Sequence, residues 1–150
     1  MGSLIAGITL TAEKMIANEK GGISHALKQT SEGFKGFGEA YFSRIHKNTI
    51  KGWKRHNQVH LNLVVPLGSI LVAVHDSRPD SSTHGETSVV RLGYPDNYSR
   101  LTVVPGLWVA FKGEQELNLI LNITEQEHRP EEADNRDLST IKLPDEFLTN

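Results

Sequence analysis

The segment Ile50–Arg78, IKGWKRHNQVHLNLVVPLGSILVAVHDSR, decides how this chain folds. Side chains alternate between the two faces of a strand. A strand through the segment therefore sets Lys54, His56, Gln58, His60 and Asn62 on one face and Val59, Leu61, Leu63 and Val65 on the other. The second face is built for a core. The first carries groups that move protons or bind anions. Gly68-Ser69 then reads as the turn of an apolar hairpin whose second arm, Ile70–Asp76, closes on His75-Asp76. A basic, histidine-bearing strand ahead of such a hairpin suits a small barrel that presents a site on its inner wall.

The same punctuation recurs on either side. Strands are predicted at Ile23–Leu27, Glu39–Ile45, Val59–Pro66, Ile70–Asp76, Thr87–Leu92, Arg100–Val104, Leu107–Lys112 and Leu117–Thr124. Gly33, Gly36 and Gly38, then Pro79-Asp80-Ser81-Ser82, Tyr94-Pro95-Asp96-Asn97 and Pro105-Gly106 break them apart. Eight short strands at this spacing predict an all-β closed barrel or jelly roll. Helical patterning is confined to Thr11–Ala17 and to Pro130–Asp137, where Pro130 followed by Glu131 and Glu132 resembles a helix start. No repeat, linker or low-complexity stretch interrupts the chain, so residues 1–150 read as one domain.

Composition narrows the function classes. The 150 residues are 37% hydrophobic and 23% charged, a balance that supports a folded core. The 16 Lys and Arg against 18 Asp and Glu give a net charge of -2, which argues against a general nucleic-acid binder. The absence of cysteine removes disulfides, thiolate nucleophiles and Cys-based zinc sites. The longest apolar runs, such as Ile70–Val74, fall far short of the ~20 residues of a membrane-spanning helix. With no secretory leader pattern either, the expected location is cytoplasmic and no membrane partner is expected.

Read in order, the chain shows a G-x-x-x-H, an apolar strand, a Gly turn, an apolar strand ending in Asp-x-Arg, a P-x-S-x-T-x-G and a later Val-Pro-Gly. This order resembles the dTDP-4-dehydrorhamnose 3,5-epimerase family and the related dTDP-sugar ketoisomerases. Those proteins are cupin jelly rolls, double-stranded β-helices that act on nucleotide-linked 4-keto-6-deoxy sugars. The resemblance spans Lys20 to Leu143. Its clearest part is Ser77–Gly85, SRPDSSTHG, which is similar to the epimerases' L-R-x-x-S-P-T-x-G. Gly52–His56, GWKRH, is similar to the ketoisomerases' G-[FW]-H-x-H.

The departures are chemical. Lys54 stands where the epimerases' R-G-x-H carries its base, and only His56 remains of the ketoisomerases' histidine pair. Val109 replaces the histidine of P-G-x-x-H-G-F, and Leu117–Thr124 lacks the family's proton-donating tyrosine. The resemblance still implies a homodimer that binds a nucleotide sugar in polysaccharide or glycoside biosynthesis and works without a cofactor.

A ketone at C4 acidifies the protons at C3 and C5, so an isomerase of such a sugar needs a base and a group that stabilises the enolate. His56 is the candidate base, since imidazole titrates near neutral pH. Lys54 is the candidate oxyanion partner and His60 the second acid or base. Lys51 and Arg55, from the same basic cluster, join Asn62 and Trp108 as candidates to hold substrate, Trp108 by stacking. Lys20 joins them through the resemblance, since it falls where the epimerases have an R-G that reaches a neighbouring subunit's nucleotide phosphates.

His25 falls where those enzymes keep a glutamate. His75 and Asp76 are expected to cap a strand end, Arg78 to fix the turn that follows, and Trp53 to lie in the core. Two other readings stay open. One is a sugar-nucleotide-binding cupin that has lost catalysis. The other is a metal-dependent cupin using His56 and His60 with His75 or His84, although Lys54 interrupts the usual H-x-H and no metal ligand is assigned.

Overall fold

A computed structural model describes residues 3–149 of the chain. The predicted hairpin at Gly68-Ser69 does not form. Leu61–His75 is a single 15-residue strand, β6, that passes through Gly68 and bends there. Gly68 has φ +90°, and a Cβ at that position would meet the Leu117 carbonyl oxygen at 2.4 Å. Only glycine fits such a close approach of two backbones. A Gly-Ser pair signals a reversal and a bend alike, and here the two arms find different partners instead of each other.

Each half of β6 belongs to its own sheet. The first sheet runs β1 (Ile8–Ala12), β8 (Ser99–Val103), the first half of β6, β10 (Leu117–Thr124) and β4 (Glu39–His46). The second runs β7 (Thr87–Tyr94), the second half of β6, β9 (Trp108–Gly113), β5 (Ile50–His56) and β11 (Ala133–Asn135). All of these pairings are antiparallel, and the architecture is the predicted all-β jelly roll. Among the described residues no helix is long and apolar enough to cross a membrane.

The core lies between the sheets. Leu61, Leu63, Leu101, Val103 and Ile120 of the first pack against Ile70, Val72, Val74, Leu92 and Val109 of the second. A smaller cluster, with Trp53, Leu71, Ala73 and Trp108, covers the outer face of the second sheet. Ile141 and Phe147 from the C-terminal segment close over it, and the buried Lys112 ammonium donates to the Phe147 and Thr149 carbonyls. The segment that carries β11 is thus strapped to the barrel.

Both helical expectations need correction. Thr11–Ala17 falls on β1 and on β2 (Met15–Asn18), which pairs with β3 (Gly21–Ser24) in a separate hairpin. Its Ala, Glu, Lys and Met suit a helix, but pairing of Ile8–Ala12 with β8 overrides that weak local preference. Pro130–Asp137 begins with one 3₁₀ turn, Pro130–Glu132, and then extends into β11 along β5. The strand predicted at Ile23–Leu27 is shifted, since β3 ends at Ser24.

Candidate active site

A cavity of about 310 Å³ opens between the sheets at the side where β4 and β5 face each other. β5 reaches it with Lys51, Lys54 and His56. A bulge puts them on one face: Lys51 lies opposite Phe111 and Lys54 opposite Val109, so three steps on β5 match two on β9. The bulge contains Gly52, at φ +152°, where a Cβ would lie 2.7 Å from that of Ala110. Trp53 and Arg55 point the other way, onto the outer cluster.

The expected parity fails after His56. β5 ends there, Asn57–His60 forms a connection, and β6 restarts with Leu61 and Leu63 facing the cavity beside Lys54 and His56. His60 and Asn62 are thereby turned away from it. His60 pairs its Nδ1 with Glu125 at 2.9 Å. Asn62 is buried in a network with Thr102 and Arg100, whose guanidinium is also held by Glu13. These two candidates knit the barrel to its flanking segments rather than line the cavity.

Arg55 and Trp108 are neighbours on the outer face. The Arg55 guanidinium lies 4.8 Å from the Trp108 ring centroid and pairs with Asp134 at 2.6 Å. Arg136 covers the same ring at 4.5 Å, and the indole N–H donates to Ser77. Trp53 is buried in that cluster too, as expected. Lys20 sits in the exposed turn between β2 and β3 and is not among the residues lining the cavity.

The turn beyond β6 is organised by Asp76, which is fully buried. It accepts from Arg78, Ser81 and Thr83, while His75 bonds Thr87. The Arg78 guanidinium holds the Asp76 carboxyl far below the usual carboxylate range. Burial opposes this shift, and Ser81 and Thr83 reinforce it.

Three groups, two lining the cavity and one holding a residue that does, were not legible as a site. Glu132, from the 3₁₀ turn before β11, is only 6% exposed, and its Oε1 lies 2.7 Å from His56 Nδ1. Its Oε2 accepts the backbone N–H groups of Asn57 and Gln58 at 2.6 and 2.8 Å. Burial works to raise the Glu132 pKa, but the Gln58 N–H, the His56 ring and the Asn57 N–H together bring it below its ordinary value. A carboxylate only accepts, so Nδ1 must carry a hydrogen and Nε2 is left as the basic nitrogen.

The other two are Tyr41 on β4 and Asn122 on β10, directly paired, with the Asn122 amide donating to the Tyr41 hydroxyl at 2.9 Å. The alternation Tyr41, Ser43, Ile45 around the core residue Ile45 is the sequence signal that would have found the tyrosine. Lys54 has no hydrogen-bond or ion-pair partner among the described residues. Lys51 donates to the Arg44 carbonyl at 2.9 Å. The imidazoles of a shared metal site are dispersed: among the described residues no three His, Asp or Glu side chains gather to hold an ion.

No family model matches the chain. It is 25% identical over 135 residues to the spore coat polysaccharide biosynthesis protein SpsL of Bacillus subtilis, covering 89% of this chain and 88% of that one. It is 30% identical over 86 residues to the probable low-salt glycan biosynthesis epimerase Agl13 of Haloferax volcanii, covering 55% and 54%. The crystal structure of a dTDP sugar isomerase from Desulfovibrio desulfuricans superimposes with a TM-score of 0.89 at 34% identity, over 93% of this chain and 91% of that one. The chain belongs to the dTDP-sugar isomerase and epimerase family. Within that family the departures noted in the sequence acquire a location: Val109 lines the cavity, as does Asn122 of the strand that lacks the tyrosine, and the acid and base groups of the lining are Tyr41, Lys51, Lys54 and His56, the last held by Glu132.

Proposed function

We propose that this family member is an epimerase or ketoisomerase of a nucleotide-linked 4-keto-6-deoxy sugar, serving polysaccharide or glycoside biosynthesis through proton abstraction next to the ketone. The observation that carries the reading is His56, held by Glu132 with Nε2 left as the basic nitrogen, lining one cavity with a Lys54 ammonium that has no partner among the described residues. His56 Nε2 takes the proton from the carbon beside the ketone. Glu132 fixes the ring and stabilises the imidazolium that forms. Lys54 balances the charge that collects on the ketone oxygen, where a site sheltered from water makes an ammonium most effective.

The nucleotide lies toward the open side, near Lys51. Lys20 reaches the diphosphate only if a second copy of this single cupin domain supplies it, as the resemblance implies for a homodimer. Exposed Phe42, Leu67 and Leu117, on neighbouring strands of the first sheet, offer such a copy an apolar surface.

The test is proton exchange. Incubated in deuterated water with dTDP-4-keto-6-deoxyglucose, the enzyme should wash deuterium into C3 or C5, and His56→Ala should slow this by about 10²-fold or more. Nucleotide binding without exchange would favour the binding-protein reading. Exchange that disappears on chelation and returns with a divalent ion would favour the metal-dependent one.

A further inference from the structure

Glu132 reaches His56 from a weak platform. It ends a single 3₁₀ turn, Pro130–Glu132, whose hydrogen-bond geometry is poorer than that of an α-helix. β11, which follows, is three residues long and lies at the edge of the second sheet, paired with β5 alone. The 2.7 Å contact between the carboxylate and His56 Nδ1 depends on what else holds this segment.

One backbone hydrogen there faces two acceptors. The Asn57 N–H lies 2.6 Å from Glu132 Oε2 and 3.1 Å from the Glu132 carbonyl oxygen. The Asn57 side chain relieves the competition. Its NH₂ donates at 3.0 Å to that carbonyl and at 3.0 Å to the Asp134 carboxylate, so one amide clasps two acceptors that lie two residues apart. Because both neighbours only accept, they fix which end of the amide faces them. Asp134 is steadied in turn by Arg55, whose guanidinium lies over the buried Trp108 ring. Donation from Asn57 and then from Arg55 lowers the Asp134 pKa, with burial opposing, so the carboxylate remains an anionic acceptor at neutral pH. Arg55 and Trp108, which do not line the cavity, thus anchor a clasp that bears on it.

We propose that Asn57 is a positioning residue for the base. Its side-chain amide gives the Glu132 carbonyl a donor of its own, which leaves the backbone N–H to the carboxylate and keeps His56 in the Nδ1–H form. The proposal rests on the reading of His56 as the base. Without the amide, carbonyl and carboxylate share one hydrogen, Glu132 is held less firmly, and the ring hydrogen is no longer confined to Nδ1. The nitrogen that takes the substrate proton is then basic for only part of the time.

The experiment reads the tautomer directly. Asn57 is exposed, so alanine there removes the amide without opening a cavity. Nitrogen-15-labelled wild type and Asn57→Ala are compared by long-range nitrogen–proton NMR, which tells the protonated from the bare nitrogen of a neutral imidazole. The His56 signals are those missing from His56→Ala. Steady-state kinetics on dTDP-4-keto-6-deoxyglucose accompany the spectra, with both proteins held well below their melting temperatures. The expected result is the Nδ1–H form in wild type, a mixture of tautomers in the variant, and kcat lower by about tenfold, the effect of one hydrogen bond, with KM within about twofold. An unchanged tautomer in Asn57→Ala would overturn the proposal, whatever its turnover, and leave the base assignment to its own test. A mixed tautomer with wild-type kcat would overturn it too, because the clasp would then not bear on the reaction. An Nε2–H ring in wild type would overturn the base assignment and this proposal together.

Discussion

Replacing Glu132 by glutamine is the sharpest probe of the base. The carboxylate makes three contacts: Oε1 faces His56 Nδ1 at 2.7 Å, and Oε2 accepts the backbone N–H groups of Asn57 and Gln58 at 2.6 and 2.8 Å. A glutamine amide fits the same space but has one oxygen and one NH₂. The two backbone donors require the oxygen, because turning the NH₂ toward them would leave three buried donors facing one another at a cost of about 1–3 kcal/mol for each unmet group.

The NH₂ therefore faces His56. Nδ1 must accept, the ring hydrogen moves to Nε2, and the nitrogen directed at substrate loses its basicity. Turnover should fall by about 10²- to 10⁴-fold, the range that general-base catalysis contributes, with KM and fold nearly unchanged. Steady-state kinetics on a 4-keto sugar nucleotide, with a thermal melt as control, would show it. Turnover within threefold of wild type in a folded Glu132→Gln protein would refute the assignment of the tautomer and with it the role of the pair.

Lys54→Met keeps volume and removes the charge, so turnover should drop by about 10- to 100-fold, the effect of losing one oxyanion partner being of this order or larger. A change confined to KM would make Lys54 a binding contact. Asp76→Asn leaves the Arg78 guanidinium without its carboxylate, and about 3 kcal/mol of stability should be lost, less than a fully buried pair because Arg78 is partly exposed. The melting temperature should fall by about 6–12 °C at neutral pH. Because the folded Asp76 pKa is depressed, its stabilisation is complete above the ordinary aspartate value of about 4 and fades as pH falls toward the folded value. Wild type and variant should therefore converge in acid, which melts from pH 7 down to pH 2 would check.

Much of the barrel was legible because strand periodicity records burial. β10 alternates Leu117, Leu119, Leu121 and Ile123 outward with Asn118, Ile120, Asn122 and Thr124 inward, and the charged, polar stretch Glu114-Gln115-Glu116 separates it from β9. What escaped was set by distance or by breaks in register. The three-for-two match at Gly52-Trp53 brings Lys51 onto the face of Lys54, and the connection at Asn57–His60 resets which face a residue occupies, so counting parity from Lys54 to Asn62 carried His60 and Asn62 to the side turned from the cavity. Glu132 is 76 positions from His56, and only the antiparallel match of Ala133 to His56 brings the two together. The sole local trace of it was the acidic pair after Pro130, which served equally as a helix start.

The reach of that pair has a consequence for biosynthesis of the enzyme itself. A chain emerging from the ribosome completes β4, β5 and most of the cavity wall long before residue 132 is made. Until β11 docks on β5, His56 has no carboxylate to choose its tautomer, and its ring hydrogen can sit on either nitrogen. With His56 as the proposed base, catalytic competence would arrive with β11, and activity would report whether the strap that carries it is in place.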